Sequence, residues 1–215
     1  MIVMPGHDKG MLFGYLAGKY EGQLGRLMNT HGWKTPVDYL PYAVDCGTFG
    51  CFKNGTEWDE SVYYKRLGQL LSCPRHPMFV VVPDAPTNAE KTLKMWDTHA
   101  ERVRNFGWKT AIAVQDGMLP NDVPQEADVV FVGGTTTWKW RTASAWISAF
   151  ENVHIGRVCS YEKLHRCREM GAKSVDGTGW FRNPKDTRLL IRYLEEVNNG
   201  RKQTQMEEMI NESCA

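Results

Sequence analysis

Short apolar runs that each end in an acidic, amide or glycine residue recur along this chain, with segments long enough for helices between them. Four of them end in the sequences VDCG (44–47), VPDAP (82–86), VQDG (114–117) and VGGT (132–135). A fifth, residues 173–175, delivers Asp176 into the turn Gly177-Thr178-Gly179. Parallel α/β folds bring the carboxyl ends of their strands to one face, where their sites lie. The pattern therefore predicts one site at these strand ends.

The alternation of strands and helices predicts the fold class. Strands are predicted at 2–4, 42–44, 78–82, 110–114, 128–132, 153–155 and 173–175. Helices are predicted at 11–27, 57–71, 88–106 (capped by Thr87), 138–150, 161–170 (closed by Gly171) and 185–197. This spacing of βα units predicts a compact TIM-like (β/α)8 barrel. An eighth strand is not evident, so we expect the barrel to be incomplete or distorted. The alternative is an open doubly wound sheet, but no G-x-G-x-x-G follows the first strand.

Length and composition limit the remaining possibilities. We predict a single domain over residues 1–197 and a polar tail over 198–215. A net charge of +1 gives no global basic signature, so any nucleic-acid contact must come from a local patch. Apolar runs stay well short of a membrane span and the N-terminus lacks a signal-peptide pattern, which predicts a cytoplasmic protein with no membrane partner. Six cysteines without C-x-x-C or zinc-ligand spacing favour reduced thiols and no metal site.

The predicted strand ends carry residues suited to glycosidic chemistry. A barrel would gather Asp45, Asp84, Gln115, Gly134 and Asp176 around one pocket. Two carboxylates that flank a scissile bond can act as nucleophile and as proton carrier. A third carboxylate and an amide can bind the hydrogen-bonding edge of a base. The simpler alternative for each aspartate is to cap the next helix, but five such ends in order favour a site.

The order and local sequence of these motifs resemble the tRNA-guanine transglycosylase superfamily, whose members exchange guanine for a 7-deazaguanine on an intact strand. The most similar branch is the compact phage one that acts on DNA, the DpdA-like deazaguanine transglycosylases. The resemblance covers residues 40–182. It is carried by AVDCGTFGCF (43–52), VVVPDAP (80–86), AVQDG (113–117), FVGGTTTWK (131–139), HIGRVCSYEKL (154–164) and SVDGT (174–178).

The resemblance implies a role for each matched residue. It makes Asp176 the nucleophile and Asp45 the carboxylate that handles protons. Asp84 and Gln115 would bind the guanine edge. Gly133 and Gly134 would lie against the heterocycle.

Departures from the family pattern refine the expected substrate. The C-terminal zinc motif of the tRNA enzymes, and the subdomain that holds it, are absent from the sequence, which favours DNA over tRNA. Asp116 replaces a glycine, and either contacts the base or caps the turn. Lys139 replaces a glutamate associated with an aminomethyl-bearing base, so a neutral base such as 7-cyano-7-deazaguanine is expected.

The mechanism that the resemblance implies is double displacement. Asp176 attacks C1′ and expels guanine, and the new base attacks the covalent glycosyl-enzyme with retention of configuration. The target base must leave the stack, which costs a few kcal/mol. We expect DNA and a free 7-deazaguanine as partners and no cofactor. The oligomeric state stays open, with a homodimer or accessory proteins as options.

Cationic and aromatic residues late in the chain suggest where phosphates would bind. Arg157 and Arg182 are the candidates for phosphate or sugar contacts, with Trp138, Trp140 and Trp180 at the same rim. The other predictions are structural: solvated helix faces for Lys163, Arg166 and Arg168, a core position for His154, and packing roles for Trp33, Trp58, Trp96 and Trp108.

Two other functions fit the same residues. Water could resolve the Asp176 intermediate, which would make the protein a base-excising DNA glycosylase. The barrel could also bind nucleic acid or a nucleobase without catalysis, although three aspartates at strand ends argue against that alternative.

Overall fold

The computed structural model describes residues 1–6, 10–30 and 33–213, with side chains described up to residue 200. Its strands are β1 (Ile2–Pro5), β2 (Arg26–Asn29), β3 (Tyr42–Asp45), β4 (Val80–Val81), β5 (Thr110–Val114), β6 (Val129–Val132), β7 (Val153–Ile155) and β8 (Ser174–Gly177). Its helices are α1 (Met11–Lys19), α2 (Thr48–Asn54), α3 (Glu60–Leu70), α4 (Ala89–Arg104), α5 (Thr136–Ala149), α6 (Tyr161–Met170) and α7 (Pro184–Ser213). A short 3-10 helix spans Pro120–Asp122.

The eight strands form one parallel sheet in the order β1-β8-β7-β6-β5-β4-β3-β2. The two edge strands meet through a bridge between Val3 and Leu24. Val3 donates to Gln23 O and Gly25 donates to Val3 O, both at 2.9 Å. A Cβ on Gly25 would lie 2.8 Å from the Pro41 carbonyl oxygen, so this junction needs glycine. The predicted TIM-like α/β barrel is therefore confirmed.

The eighth strand that the sequence did not reveal is β2, and with it the barrel is nearly closed. The predicted first helix, 11–27, ends at Lys19, and β2 follows at Arg26–Asn29. This strand lacks an apolar run, since Met28 is its one buried residue. Among the described residues no helix connects β2 to β3. Without a helix to cover it, the strand does not need the apolar faces by which the others were recognised.

Several element bounds also differ from the prediction. Helix α2 was not predicted, and β4 is shorter than the apolar run that contains it. The cap of α4 is Asn88, whose Oδ1 accepts from Lys91 N at 2.9 Å, and not Thr87. The last helix continues to Ser213 instead of ending near Val197, so its backbone runs through most of the predicted tail.

The core lies inside the barrel and between the barrel and its helices. Val3, Val44, Ala111, Val132 and Val175 have no exposed surface. Complete burial of a valine contributes roughly 1.5–3 kcal/mol each, so the strands are held mainly by apolar packing. Trp96 and Trp108 are buried in the outer layer, and Trp33 and Trp58 pack against it half-buried, as the sequence predicted. Trp138 and Trp180 are also buried, so their predicted place on a phosphate-binding rim was wrong.

Candidate functional site

Four of the predicted site residues lie at the carboxyl ends of four strands. Asp45 ends β3, Asp84 and Gln115 follow β4 and β5, and Asp176 lies in β8. All strands run parallel, so these positions share one mouth of the barrel. The carboxylates interact electrostatically, since the charges of both Asp84 and Asp176 act on Asp45.

Asp84 is buried and its two oxygens are held by different donors. Oδ1 accepts hydrogen bonds from the Thr48 hydroxyl and, at 3.2 Å, from the Cys46 thiol. Oδ2 accepts from Gln115 Nε2 at 2.7 Å. Burial raises the pKa of Asp84, while the Thr48 and Cys46 hydrogen bonds oppose that rise. The carboxylate is therefore fixed in orientation before any ligand arrives.

Gln115 is locked by hydrogen bonds on both ends of its amide. Oε1 accepts from the backbone N–H groups of Thr87 at 2.9 Å and Gly134 at 3.1 Å. Because these donors are backbone groups, the amide orientation is determined and Nε2 must face Asp84. Gly134 has φ +64, and a Cβ there would lie 2.5 Å from the Trp138 ring. The glycine thus lets the 133–134 turn close onto Gln115.

Asp45 is the carboxylate best suited to carry a proton near neutral pH. Its Oδ2 accepts from Asn29 Nδ2 at 3.1 Å. Burial, reinforced by the charges of Asp84 and Asp176, raises the pKa of Asp45 to about 7. A group with a pKa near 7 can both give and take a proton during turnover. Asn29, at the end of β2, was missed because that strand was missed.

Asp176 has one oxygen occupied and one available. Oδ1 accepts from His154 Nε2 at 3.1 Å and from the Arg157 backbone N–H at 3.0 Å. Within the described part of the chain, Oδ2 accepts no hydrogen bond. A Cβ on the next residue, Gly177, would collide with the Val158 carbonyl oxygen, so glycine lets the two segments meet. Asp176 therefore sits in a fixed pose with a free oxygen.

Arg157 closes one side of this arrangement. It has a left-handed backbone with φ +57, unusual for a residue with a side chain. Its guanidinium donates to the Gly134 carbonyl oxygen and lies 4.7 Å from the centre of the Phe49 ring. Phe49, on α2, is 40% exposed. It was not predicted, although it lies four residues after Asp45 in a matched motif.

Three other predicted residues make their side-chain hydrogen bonds outside this group. Asp116 accepts from Thr135 N at 2.6 Å and from Thr135 Oγ1 at 2.5 Å, so it supports the start of α5, as its turn-capping alternative proposed. Lys139 is 1% exposed and donates to the Gly156 carbonyl oxygen. Arg182 is exposed and donates to Thr178 Oγ1 at 3.2 Å.

Burial lowers the pKa of Lys139 to about 8, and the charge of Arg157 contributes to that lowering. A lysine that formed a Schiff base would need free space at Nζ for a substrate carbonyl. The Nζ of Lys139 is instead enclosed beside Gly156. Because Nζ is buried, it cannot contact a ligand directly, and its charge can act on one only over a distance. This weakens the argument that Lys139 excludes a cationic base.

The described residues carry neither a metal-binding cluster nor a membrane-spanning helix. No group of three or more histidine, cysteine, aspartate or glutamate side chains among them is arranged to hold a metal ion. In the same residues, no helix combines the length and apolarity that a bilayer crossing requires. Five cysteines are free thiols (Cys46, Cys51, Cys73, Cys159 and Cys167), and Cys214 lies outside the described residues.

Comparisons with known proteins show the fold alone. No protein-family model and no curated protein matches the chain. A solved structure described as "Native KDPGal structure" matches with a TM-score of 0.54 over 95% of each chain, at 8% sequence identity. Identity this low carries the barrel architecture and not the chemistry.

Proposed function

We propose that this protein is a DNA guanine transglycosylase that exchanges guanine for a 7-deazaguanine through a covalent Asp176 intermediate. The observation that carries the proposal is the contrast between two carboxylates at one mouth of the barrel. Asp176 has one oxygen held by two donors, and no described residue donates to the other. The pKa of Asp45 is raised to about 7. This contrast supports Asp176 as the nucleophile and Asp45 as the proton carrier of the proposed reaction.

The proposed chemistry balances with these two residues. Asp176 Oδ2 attacks C1′, the bond from C1′ to guanine N9 breaks, and the departing guanine takes its proton from Asp45. The incoming 7-deazaguanine returns a proton to Asp45 as its five-membered-ring nitrogen attacks C1′ from the face that guanine left. The bond from C1′ to Asp176 then breaks, so two inversions give net retention.

Asp84 and Gln115 support a base as the leaving group. The pair presents carboxylate and amide groups whose positions are fixed by Thr48, Cys46, Thr87 and Gly134. A pre-organised polar pair of this kind suits the hydrogen-bonding edge of guanine, which offers both donors and an acceptor. The choice of guanine, of DNA and of the 7-deazaguanine co-substrate comes from the family resemblance. Neutral 7-cyano-7-deazaguanine is the first co-substrate to test.

The experiment is incubation with guanine-containing DNA, with and without 7-cyano-7-deazaguanine, followed by mass spectrometry of the nucleosides. The wild type and Asp176→Ala are compared, with tRNA as a second substrate. A deazaguanine nucleoside formed in DNA by the wild type alone supports exchange. Free guanine with abasic DNA would instead indicate a base-excising glycosylase. DNA binding with no product, unchanged by Asp176→Asn, would indicate a non-catalytic binder.

A further inference from the structure

The environment of His154 links the barrel core to the proposed nucleophile. His154, on β7, has no exposed surface, which confirms its predicted core position. Its Nε2 lies 3.1 Å from Asp176 Oδ1, and its Nδ1 lies 2.7 Å from Ser174 Oγ. Both partners belong to β8, so the ring spans two neighbouring strands.

Ring packing fixes the plane of this imidazole. Phe131 on β6 stacks on it, with centroids 4.5 Å apart and 25° between the planes. Phe79 contacts it edge-on at 5.3 Å. Rotation of the imidazole would require the displacement of an aromatic ring in a densely packed core, so the ring holds a single orientation.

Hydrogen-bond chemistry then determines which ring nitrogen carries the proton. A carboxylate oxygen accepts, which assigns the donor role in the 3.1 Å contact to His154 Nε2. The Ser174 hydroxyl can donate to Nδ1 and complete the chain Ser174–His154–Asp176. A second donor, the Arg157 backbone N–H, occupies the same Asp176 oxygen at 3.0 Å. Two fixed donors on Oδ1 leave Oδ2 as the oxygen that accepts no hydrogen bond from the described residues.

We propose that His154 is a positioning residue that, with Ser174, holds Asp176 so that Oδ2 is the attacking oxygen. This inference rests on the proposed function for its kinetic consequence. The structural part of the inference, that Nε2–H of His154 donates to Asp176, does not depend on the proposed function. His154 does not touch the substrate and exchanges no proton with it.

The kinetic test compares His154→Phe, which preserves aromatic packing but has no donor, with His154→Gln, which keeps an N–H donor. We expect His154→Phe to lower kcat about 100-fold, the order of loss for a misplaced reacting group, with KM changed less than about threefold. The kcat of His154→Gln should be at least about tenfold higher than that of His154→Phe. His99→Phe is the matched control. His99 is a buried histidine on helix α4, away from the strand ends, and its Nδ1 lies 3.0 Å from the Tyr64 hydroxyl oxygen. Wild-type kcat in His154→Phe, or equal losses in the Phe and Gln variants, would overturn the inference.

Ser174→Ala provides a second variant if His154→Phe does not fold. It removes the partner of Nδ1 and should lower kcat about tenfold without a change in KM. An unchanged kcat in Ser174→Ala would show that Ser174 does not help to position Asp176.

Nitrogen-15 NMR of the histidine ring tests the inference even if no DNA is modified. We expect Nε2 of His154 to carry a proton in the wild type, and a change in its ring shifts in Asp176→Ala. An Nδ1–H tautomer would contradict the positioning role. If the wild type does not exchange bases but gives the expected NMR result, the proposed function is rejected. The hydrogen bond from His154 Nε2 to Asp176 is then still supported.

Discussion

Asp84 and Gln115 follow neighbouring strands and share a 2.7 Å hydrogen bond in which the Gln115 amide donates to Asp84 Oδ2. Hydrogen bonds from neighbouring groups set the direction of this bond. Two backbone N–H groups bond to Gln115 Oε1, and the Thr48 hydroxyl and Cys46 thiol bond to Asp84 Oδ1. The pair therefore holds one arrangement of donors and acceptors, in which Gln115 Nε2 also donates to the Ala113 carbonyl oxygen at 3.4 Å.

Asp84→Asn tests this directionality. The new amide places a donor opposite the Gln115 donor; after a flip its NH2 faces the Thr48 hydroxyl, which can accept only by turning its own proton toward Cys46 Sγ. We expect a stability loss of about 1–3 kcal/mol, the cost of a buried unpaired polar group. Adding Gln115→Glu restores an acceptor opposite the new amide, so the double variant should be more stable than the sum of the single changes predicts. Urea unfolding of the four proteins measures this coupling, and additive losses would contradict it. The double variant, with Asp84→Asn and Gln115→Glu, should lack exchange activity.

Asp45→Asn should stabilise the protein at alkaline pH and have little effect at acid pH. The folded-state pKa of Asp45 is raised from 3.8 to about 7, so its contribution to stability is fully present below pH 4 and is lost as the pH rises through 7. Because Asp45 is partly exposed, we expect a gain of about 1–3 kcal/mol at pH 8, less than the roughly 4 kcal/mol that full burial would give. Thermal unfolding between pH 4 and 8 measures it, with Asp116→Asn as control. A difference that does not vary with pH would contradict this account of Asp45.

Gly134→Ala and Gly55→Ala separate backbone strain from steric conflict. The two glycines have similar φ values, +64 and +65, but only a Cβ on Gly134 meets neighbours, the Trp138 ring at 2.5 Å and Asp116 at 2.7 Å. Gly55→Ala should cost about 1 kcal/mol from the left-handed backbone alone. Gly134→Ala should cost about 2–4 kcal/mol and abolish exchange, because the turn that bonds Gln115 must move. Equal melting temperatures for the two variants would show that the 133–134 turn is not tightly packed.

Phe49→Ala should weaken substrate binding, with Phe52→Ala as its control on the same helix. Phe49 lies beneath the Arg157 guanidinium, whereas Phe52 is 57% exposed. If Phe49 stacks on a base, its loss should raise KM for DNA about 5- to 100-fold, the range for one stacking contact of about 1–3 kcal/mol. Steady-state kinetics of exchange measure this change. Equal KM values for the two variants would assign Phe49 to packing against Arg157.

Sequence patterns were sufficient for those parts of the fold and site that depend on apolar strands. Asp45, Asp84, Gln115 and Asp176 each end or follow a buried strand, so their common location followed from parallel topology. The missed parts have physical causes. Strand β2 carries little apolar surface, and with it Asn29 went unrecognised. Trp138 was expected on the rim with the cationic residues that follow strand ends, but its side chain is buried.

The link from His154 to Asp176 was also beyond prediction from the sequence alone. A histidine between apolar residues indicates a core position, and His154 is buried. Its second role depends on the register of β7 and β8, which pairs His154 with Ser174 and brings its ring within reach of Asp176. Register between strands is set by the whole barrel and not by a local motif.

In the proposed exchange, Asp176 forms a covalent bond to the sugar. The most direct measurement is denaturing electrophoresis of the protein with labelled guanine-containing DNA, followed by peptide mass spectrometry of the retarded band. We predict a DNA–protein adduct that maps to Asp176, disappears when 7-cyano-7-deazaguanine is added, and is absent in Asp176→Asn. Conversion of guanine without any adduct, or an adduct that maps to another residue, would contradict the account.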